Sequence, residues 1–362
     1  MTTGPALRRL GVAGYRSLRS VAFDVGNPTV VLGANGTGKT NLYRALGLLV
    51  AAARGELGAT VAAEGGMPSA CWAGTRAQRP VRLSVGVSLD DWDYTLTLGL
   101  HGPPPEPFPW DPLVVEETLT LPGPRRRRVA MLERRRRSAW QRDVEGRRVE
   151  YPAQLLLSEA ALHQIREAHL YPELALVRDT IGGAWRLYHG FACDEHAAAR
   201  QPSVDTFTGL LDPAGAGLAA ALKTIRKVGD ARGLDAAVER AFPGARLLLE
   251  EQGGRVALLL ATAGLVRPLR AAELFDGTLR YLCLIAALMP VRAPALIALN
   301  EPEASLHGGL IPCLADLLVA ASRHSQIWLT THDVELARLV REAPGSTVVR
   351  LERSDEDGTI LV

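Results

Sequence analysis

No stretch of this 362-residue chain is apolar for long enough to span a bilayer. The longest candidate, Leu279 to Met289, is interrupted by Arg280 and stops at Pro290. Met1 to Leu10 lack the apolar core of a secretory leader, so the cytoplasm is the expected compartment. Cysteine is scarce, with Cys71, Cys193, Cys283 and Cys313 scattered without metal-ligand spacing. They read as small apolar residues of a reducing environment. No sustained heptad is present, which excludes a long coiled coil, and no internal repeat is visible. Net charge is only +2, so the overall balance favours no class of partner.

What is present is an ordinary globular composition, 47% hydrophobic and 22% charged. The length suits one large domain with an insertion, or two smaller domains. Residues 33 to 40 spell Gly33-Ala34-Asn35-Gly36-Thr37-Gly38-Lys39-Thr40, a complete G-x-x-x-x-G-K-[ST] phosphate loop. The apolar, β-branched run Thr29 to Leu32 before it predicts a buried strand. Leu42, Ala45, Leu46, Leu49 and Val50 after it share one helical face. That order is what phosphate binding requires. The glycines let backbone N–H groups close around phosphate oxygens, and the helix N-terminus adds positive potential. Lys39 is placed to reach the β- and γ-phosphates and the Thr40 hydroxyl to hold Mg²⁺.

Residues 6 to 52 predict strand, strand, phosphate loop and helix. Alternation over Val81 to Leu89 and Tyr94 to Leu100 predicts an antiparallel hairpin turning at Asp90 to Asp93. Pro103 to Pro107 marks a boundary. Val114 to Tyr151 predicts short strands with a turn at Glu145-Gly146. Residues 154 to 200 predict mostly helix, broken at Tyr171-Pro172 and Gly182-Gly183. Leu218, Leu222, Ile225 and Val228 predict an amphipathic helix, and Gln252-Gly253-Gly254 a second hairpin. From Glu273 onward, helix alternates with buried strand, at Leu296 to Leu299 and Ile327 to Thr330, which implies a mostly parallel sheet flanked by helices. Phosphate loops sit at the carboxyl ends of such strands.

Two further strand ends carry chemistry. Leu296-Ile297-Ala298-Leu299 runs into Asn300-Glu301-Pro302-Glu303, and Thr330 into Thr331-His332-Asp333. Glu301 is placed to polarise an attacking water as general base. His332 is placed to contact a γ-phosphate. Ahead of both stands Glu273-Leu274-Phe275-Asp276-Gly277-Thr278-Leu279-Arg280, a helix N-terminus that Asp276 would cap.

The phosphate loop, the strand ending Asn300-Glu301 and the strand-terminal histidine, in this order, resemble the ABC-type ATPases. Asn300 stands where the Walker B element usually has an acid, and Phe275 where the signature loop usually has a serine. An amide holds Mg²⁺ less firmly than a carboxylate, and the serine contact to phosphate is lost, so slow hydrolysis is expected. Tyr15-Arg16-Ser17-Leu18 and Glu303-Ala304-Ser305-Leu306-His307 narrow the resemblance to the RecF/SMC/OLD-like group. The resemblance implies an α/β ATPase head with an antiparallel β subsheet and an inserted region. Residues 1–110 and 203–362 would form the discontinuous ATPase domain, and 111–202 an arginine-rich β and helical insertion. ATP would contact Arg16, Ser17, Asn35, Gly36, Thr37, Gly38, Lys39, Thr40 and Asn41. Phe275, Asp276, Gly277 and Thr278 would face the ATP of a second copy in a homodimeric sandwich. Thr40 and Asn300 would serve Mg²⁺, and Lys39, Glu301 and His332 catalysis. The group's Q-loop glutamine is unassigned between Gln78 and Gln154. Roughly thirty residues follow His332, too few for the nuclease module of OLD proteins.

The arginine-rich strands, Arg125 to Arg128, Arg134 to Arg137, Arg142, Arg147 and Arg148, have two readings. They suit the phosphodiester backbone of DNA, with Trp140 stacking on a base. They suit somewhat better a solvated sheet face balanced by Glu133, Asp143, Glu145 and Glu150. Arg200 is a candidate for a lid over the nucleotide. The output is then DNA repair or defence against foreign DNA, or control of a separately encoded effector by a regulatory ATPase or a slow nucleotide sensor.

Overall fold

Strict alternation from Arg82 to Leu89 turns Leu83, Val85, Val87 and Leu89 to one face, and all four are buried. The partner strand Trp92–Gly99 pairs with it antiparallel, with Val85 opposite Leu96 and Val87 opposite Tyr94. This hairpin belongs to a longer antiparallel ladder. Gly358–Leu361, Leu18–Asp24, Leu7–Tyr15, the hairpin, Leu113–Pro122, Arg128–Arg135, Ser138–Arg142 and Arg148–Glu150 lie side by side in that order. The helix Lys39–Arg54 packs its apolar face here, with Leu42, Ala45, Leu46, Leu48, Leu49 and Ala52 fully buried. Gly55 in the left-handed conformation ends it.

The structure, a computed structural model, describes residues 4–75, 81–102, 107–123 and 128–362. They form two compact units. One comprises Gly4–Gly26, Val31–Trp185 and Val349–Val362 and holds the antiparallel ladder. The other comprises Asn27–Val30 and Arg186–Val348. The Pro103 to Pro107 boundary falls mainly outside the described residues, as do Gln78 and Arg125 to Arg127.

The second unit is built on parallel pairing. Leu296–Asn300 runs beside Gln326–Thr331, with Leu296 opposite Gln326 and Asn300 opposite Thr330. Every residue of both strands is buried except Asn300, as the continuous apolar runs require. Helices Asp276–Leu288, Ile311–Ala321 and Val334–Arg341 alternate with these strands. The hairpin Arg246–Gln252 and Arg255–Ala261 turns on Gly253 and Gly254, both at positive φ (59° and 74°). Two consecutive positive φ values are the primed turn that the glycine pair predicts. The fold is α/β, and among the described residues no helix is long and apolar enough to cross a membrane.

Residues 154–200 depart from the helical expectation. Helix is confined to Ala161–Gln164 and Pro172–Arg178, the latter continuing into a wide turn over Asp179–Ala184. Pro172 starts a helix instead of breaking one, because the first turn needs no N–H from that residue. Residues 189–197 are irregular. The carbonyls of Cys193 and Asp194 accept from a buried arginine, described below, and not from a helical ladder.

Candidate functional site

The phosphate loop leaves the strand Thr29–Gly33 and enters the helix Lys39–Arg54 without a side-chain cap. No side chain competes for that helix N-terminus, whose dipole favours an anion. Gly38 takes φ +103°, and a Cβ there would sit 2.2 Å from Thr359 Oγ1 and 2.8 Å from Ser17 Oγ. A Cβ on Gly33 would lie 2.5 Å from Thr37 Oγ1. These two positions accept only glycine. The loop winds around Lys39, whose ammonium donates to the carbonyls of Gly33 (2.7 Å) and Ala34 (2.9 Å) while its side chain is buried. Thr37 turns inward and donates to Ala34 O at 2.9 Å. Asn35 and Gly36 at the tip are exposed, and Thr40 is half-buried.

Behind the loop, Asn41 Nδ2 donates to Ser17 Oγ (2.9 Å), which lies 3.0 Å from Thr359 Oγ1. Ser17 and Asn41, each expected to contact the nucleotide, thus touch one another, whereas Thr359 carried no motif. Arg16 stands at φ +49°. Its guanidinium pairs with Glu64 at 3.0 Å, and Tyr15 donates to both oxygens of the same carboxylate. Burial, reinforced by Glu64, pushes the Tyr15 hydroxyl pKa up, so the phenol stays a donor. The backbone N–H of Arg16 donates to Ala70 O, and Trp72 N to Gly14 O, which fixes this turn from the segment after Glu64. Sequence reasoning missed Glu64, which lies far along the chain from Arg16 in no recognisable pattern.

The other unit gathers Asn300, Glu301, Glu303 and His332 at the ends of its parallel strands. Asn300 Oδ1 accepts from Thr330 Oγ1 at 3.0 Å. Glu301 is held at φ +46° by its N–H, which donates to Thr330 O at 3.0 Å. A side chain in the left-handed region costs about 1–2 kcal/mol. Such strain persists where the surroundings over-determine it, and clusters at functional sites. Glu301 Oε1 lies 4.0 Å from His332 Nδ1, and Glu303 Oε1 lies 3.2 Å from the same nitrogen. Glu303 is buried and also accepts from Thr331 Oγ1 (2.6 Å) and His332 N (3.1 Å). Asp333 caps the next helix through Leu336 N.

The segment Leu274 to Thr278 opens the helix Asp276–Leu288. Asp276 is the first helical residue and not the cap that its residue type predicted; Phe275 occupies the cap position and is 84% exposed. The carboxylate is drawn instead to Arg200, at 2.5 Å. Arg200 is buried and also donates to the carbonyls of Cys193, Asp194, Ala271 and Leu274. It is an internal strut for the signature segment, which corrects its reading as part of a lid. Gly277 packs so closely on the loop after Glu303 that a Cβ would lie 2.8 Å from Ser305 O. Thr278 is half-buried beside it.

Most described arginines of the strands between Leu113 and Glu150 have partners within the fold. Arg134 is fully buried, donates to the carbonyls of Arg136, Leu156 and Glu159, and pairs with Glu117. Burial, offset in part by Glu117, lowers its pKa. Arg147 pairs with Asp143 and Glu145, and Arg148 pairs with Glu133 while stacking on Trp140. Arg135, Arg136 and Arg137 stand exposed.

A phosphate loop at the N-terminus of the helix Lys39–Arg54, together with the family match that follows, defines a P-loop ATPase. Residues 29–338 match the family described as AAA domain, putative AbiEii toxin, Type IV TA system, and the chain belongs to that family. Among solved structures the fold is similar to an Smc head bound to the C-winged helix domain of ScpA, with TM-score 0.54, 15% identity and coverage of 99% of this chain and 97% of that one. It is also similar to the Smc head with an extended coiled coil bound to the C-terminal domain of ScpA derived from Pyrococcus furiosus, with TM-score 0.52, 15% identity and coverage of 99% and 96%. No curated protein matches the sequence.

Proposed function

We propose that the chain is a cytoplasmic ATPase that works as an ATP-dependent dimeric clamp or switch. The observation that carries the nucleotide assignment is the loop wound around the Lys39 ammonium at an uncapped helix N-terminus. A bound triphosphate would take those backbone N–H groups and draw the ammonium off its two carbonyls. Arg16, Ser17 and Asn35 to Asn41 are its binding residues. Glu301 is the general base and His332 the γ-phosphate contact. Assigning both sets of residues to one nucleotide rests on their order along the chain, which resembles the ABC type.

Mg²⁺ would be held by Thr40 and Asn300. Among the described residues no cluster of three or more acidic, histidine or cysteine side chains is suited to a metal. A neutral hydroxyl and an amide that already accepts from Thr330 suit an ion brought in with the phosphates, not a standing protein site. Bound there, the ion would neutralise charge on the phosphates.

Leu274 to Thr278 of one copy would close on the nucleotide of a second copy. The exposed Phe275 supports an intermolecular role for this edge. The output is DNA repair or defence against foreign DNA, with Arg135 to Arg137 as the available cationic surface. A second reading, control of a separately encoded effector without DNA contact, is favoured by the internal pairing of Arg134, Arg147 and Arg148. The family's toxin and type IV toxin–antitoxin description, and the ScpA domains on the similar Smc heads, point the same way.

ATP turnover measured with and without duplex and single-stranded DNA, beside Lys39→Ala, tests the assignment. Turnover is expected in wild type and absent in Lys39→Ala; equal rates sink the enzyme reading. Glu301→Gln is expected to elute as an ATP-dependent dimer, and a monomer under saturating ATP sinks the clamp.

A further inference from the structure

We propose that Glu303 is a positioning residue for His332: its buried carboxylate holds the proton of the neutral imidazole on Nδ1 and presents Nε2 as the working atom. This deepens the reading above and rests on it for the chemistry that Nε2 performs. Three donors or donor candidates converge on one oxygen. Oε1 accepts from Thr331 Oγ1 at 2.6 Å and from His332 N at 3.1 Å, and His332 Nδ1 lies 3.2 Å away. The Glu303 side chain is 4% exposed, and Oε2 is buried with no hydrogen-bond partner among the described residues. Charge that would be shared between two solvated oxygens is therefore satisfied through Oε1 alone. The competing carboxylate, Glu301, reaches only to 4.0 Å of the same nitrogen, beyond hydrogen-bond range.

The ring nitrogen that faces a carboxylate carries the proton, and the other nitrogen is left with its lone pair. A neutral His332 then accepts a hydrogen bond at Nε2, from a water for example. It donates there to a phosphate oxygen only as imidazolium, whose charge Glu303 balances. Without Glu303 the ring would take the tautomer mixture of a solvated imidazole and lose its orientation.

The amide of Glu303→Gln has only one way to sit. His332 N–H and Thr331 Oγ–H both donate to the Oε1 position, so the amide oxygen must occupy it and the NH₂ must take the Oε2 position. Glu303→Gln should therefore keep the tautomer while removing the charge, and Glu303→Ala should lose both.

The test uses the full chain labelled with ¹⁵N-histidine, without nucleotide, at a pH where the ring is neutral. The His332 signal is assigned by its loss in His332→Gln. Wild type and Glu303→Gln are expected to show the Nδ1–H tautomer, and Glu303→Ala a mixture. In parallel, kcat for ATP should fall about ten- to a hundredfold in Glu303→Ala with KM nearly unchanged, and Glu303→Gln should recover most of it. An Nε2–H ring in wild type, or an unchanged tautomer in Glu303→Ala, overturns the proposal. If Glu303→Ala fails to fold, wild type and Glu303→Gln still decide, because an Nε2–H ring in either one overturns it. If no form hydrolyses ATP, the ATPase reading fails while the tautomer result stands by itself.

Discussion

The Arg200 guanidinium and the Asp276 carboxylate meet at 2.5 Å on the first turn of the helix that follows Phe275. The same guanidinium ties down the carbonyls of residues 193, 194, 271 and 274, so the segment Leu274 to Thr278 is held from within the fold. Removing it strands several buried carbonyls at once. Arg200→Ala should cost about 3 kcal/mol or more of unfolding free energy. Arg200→Lys should rescue little, because an ammonium does not reproduce the planar fork. Chemical denaturation of the two variants beside wild type measures this, and a lysine variant as stable as wild type would contradict it.

The left-handed φ of Glu301 gives a second prediction. Glu301→Ala and Glu301→Gly both delete the carboxylate, but only alanine keeps the steric cost of φ +46°. The glycine variant should be the more stable of the two by about 1 kcal/mol, and neither should turn over ATP. Equal stabilities would mean that the backbone relaxes once the side chain is gone.

A third prediction concerns acid. The bidentate Arg267 guanidinium, helped by the Arg270 N–H, holds the Glu273 carboxyl down at about 2. A depressed folded value contributes stability that is fully present above the ordinary carboxyl value of 4.5 and is lost as pH falls towards about 2. Glu273 should therefore titrate near 2 by NMR, well below an ordinary glutamate. Glu273→Gln should flatten the stability profile between those two pH values and leave it unchanged in shape above them.

How much of this was legible in the sequence depended on how local the physics was. The phosphate loop was readable because glycine spacing and a following helix are properties of one short stretch. Both hairpins were readable because alternation and turn glycines act between neighbours. Asp276 misled because an acidic residue before an apolar helix usually caps it, and nothing nearby announces that Arg200 captures the carboxylate first. Arg134 misled for a similar reason. A run of four arginines looks like surface, yet strand alternation turns its first member inward onto Glu117. Glu64 and Glu303 were silent in different ways. Glu64 is far from Arg16 in sequence, and Glu303 read as part of a loop motif when its side chain is spent on His332.

Thr359 touches Ser17, which touches Asn41, and Thr359 and Ser17 wall in Gly38 of the phosphate loop. The residue that finishes this wall is made more than three hundred positions after the loop it supports. A nascent chain on the ribosome therefore carries the complete nucleotide motif long before it carries the means to hold it in shape.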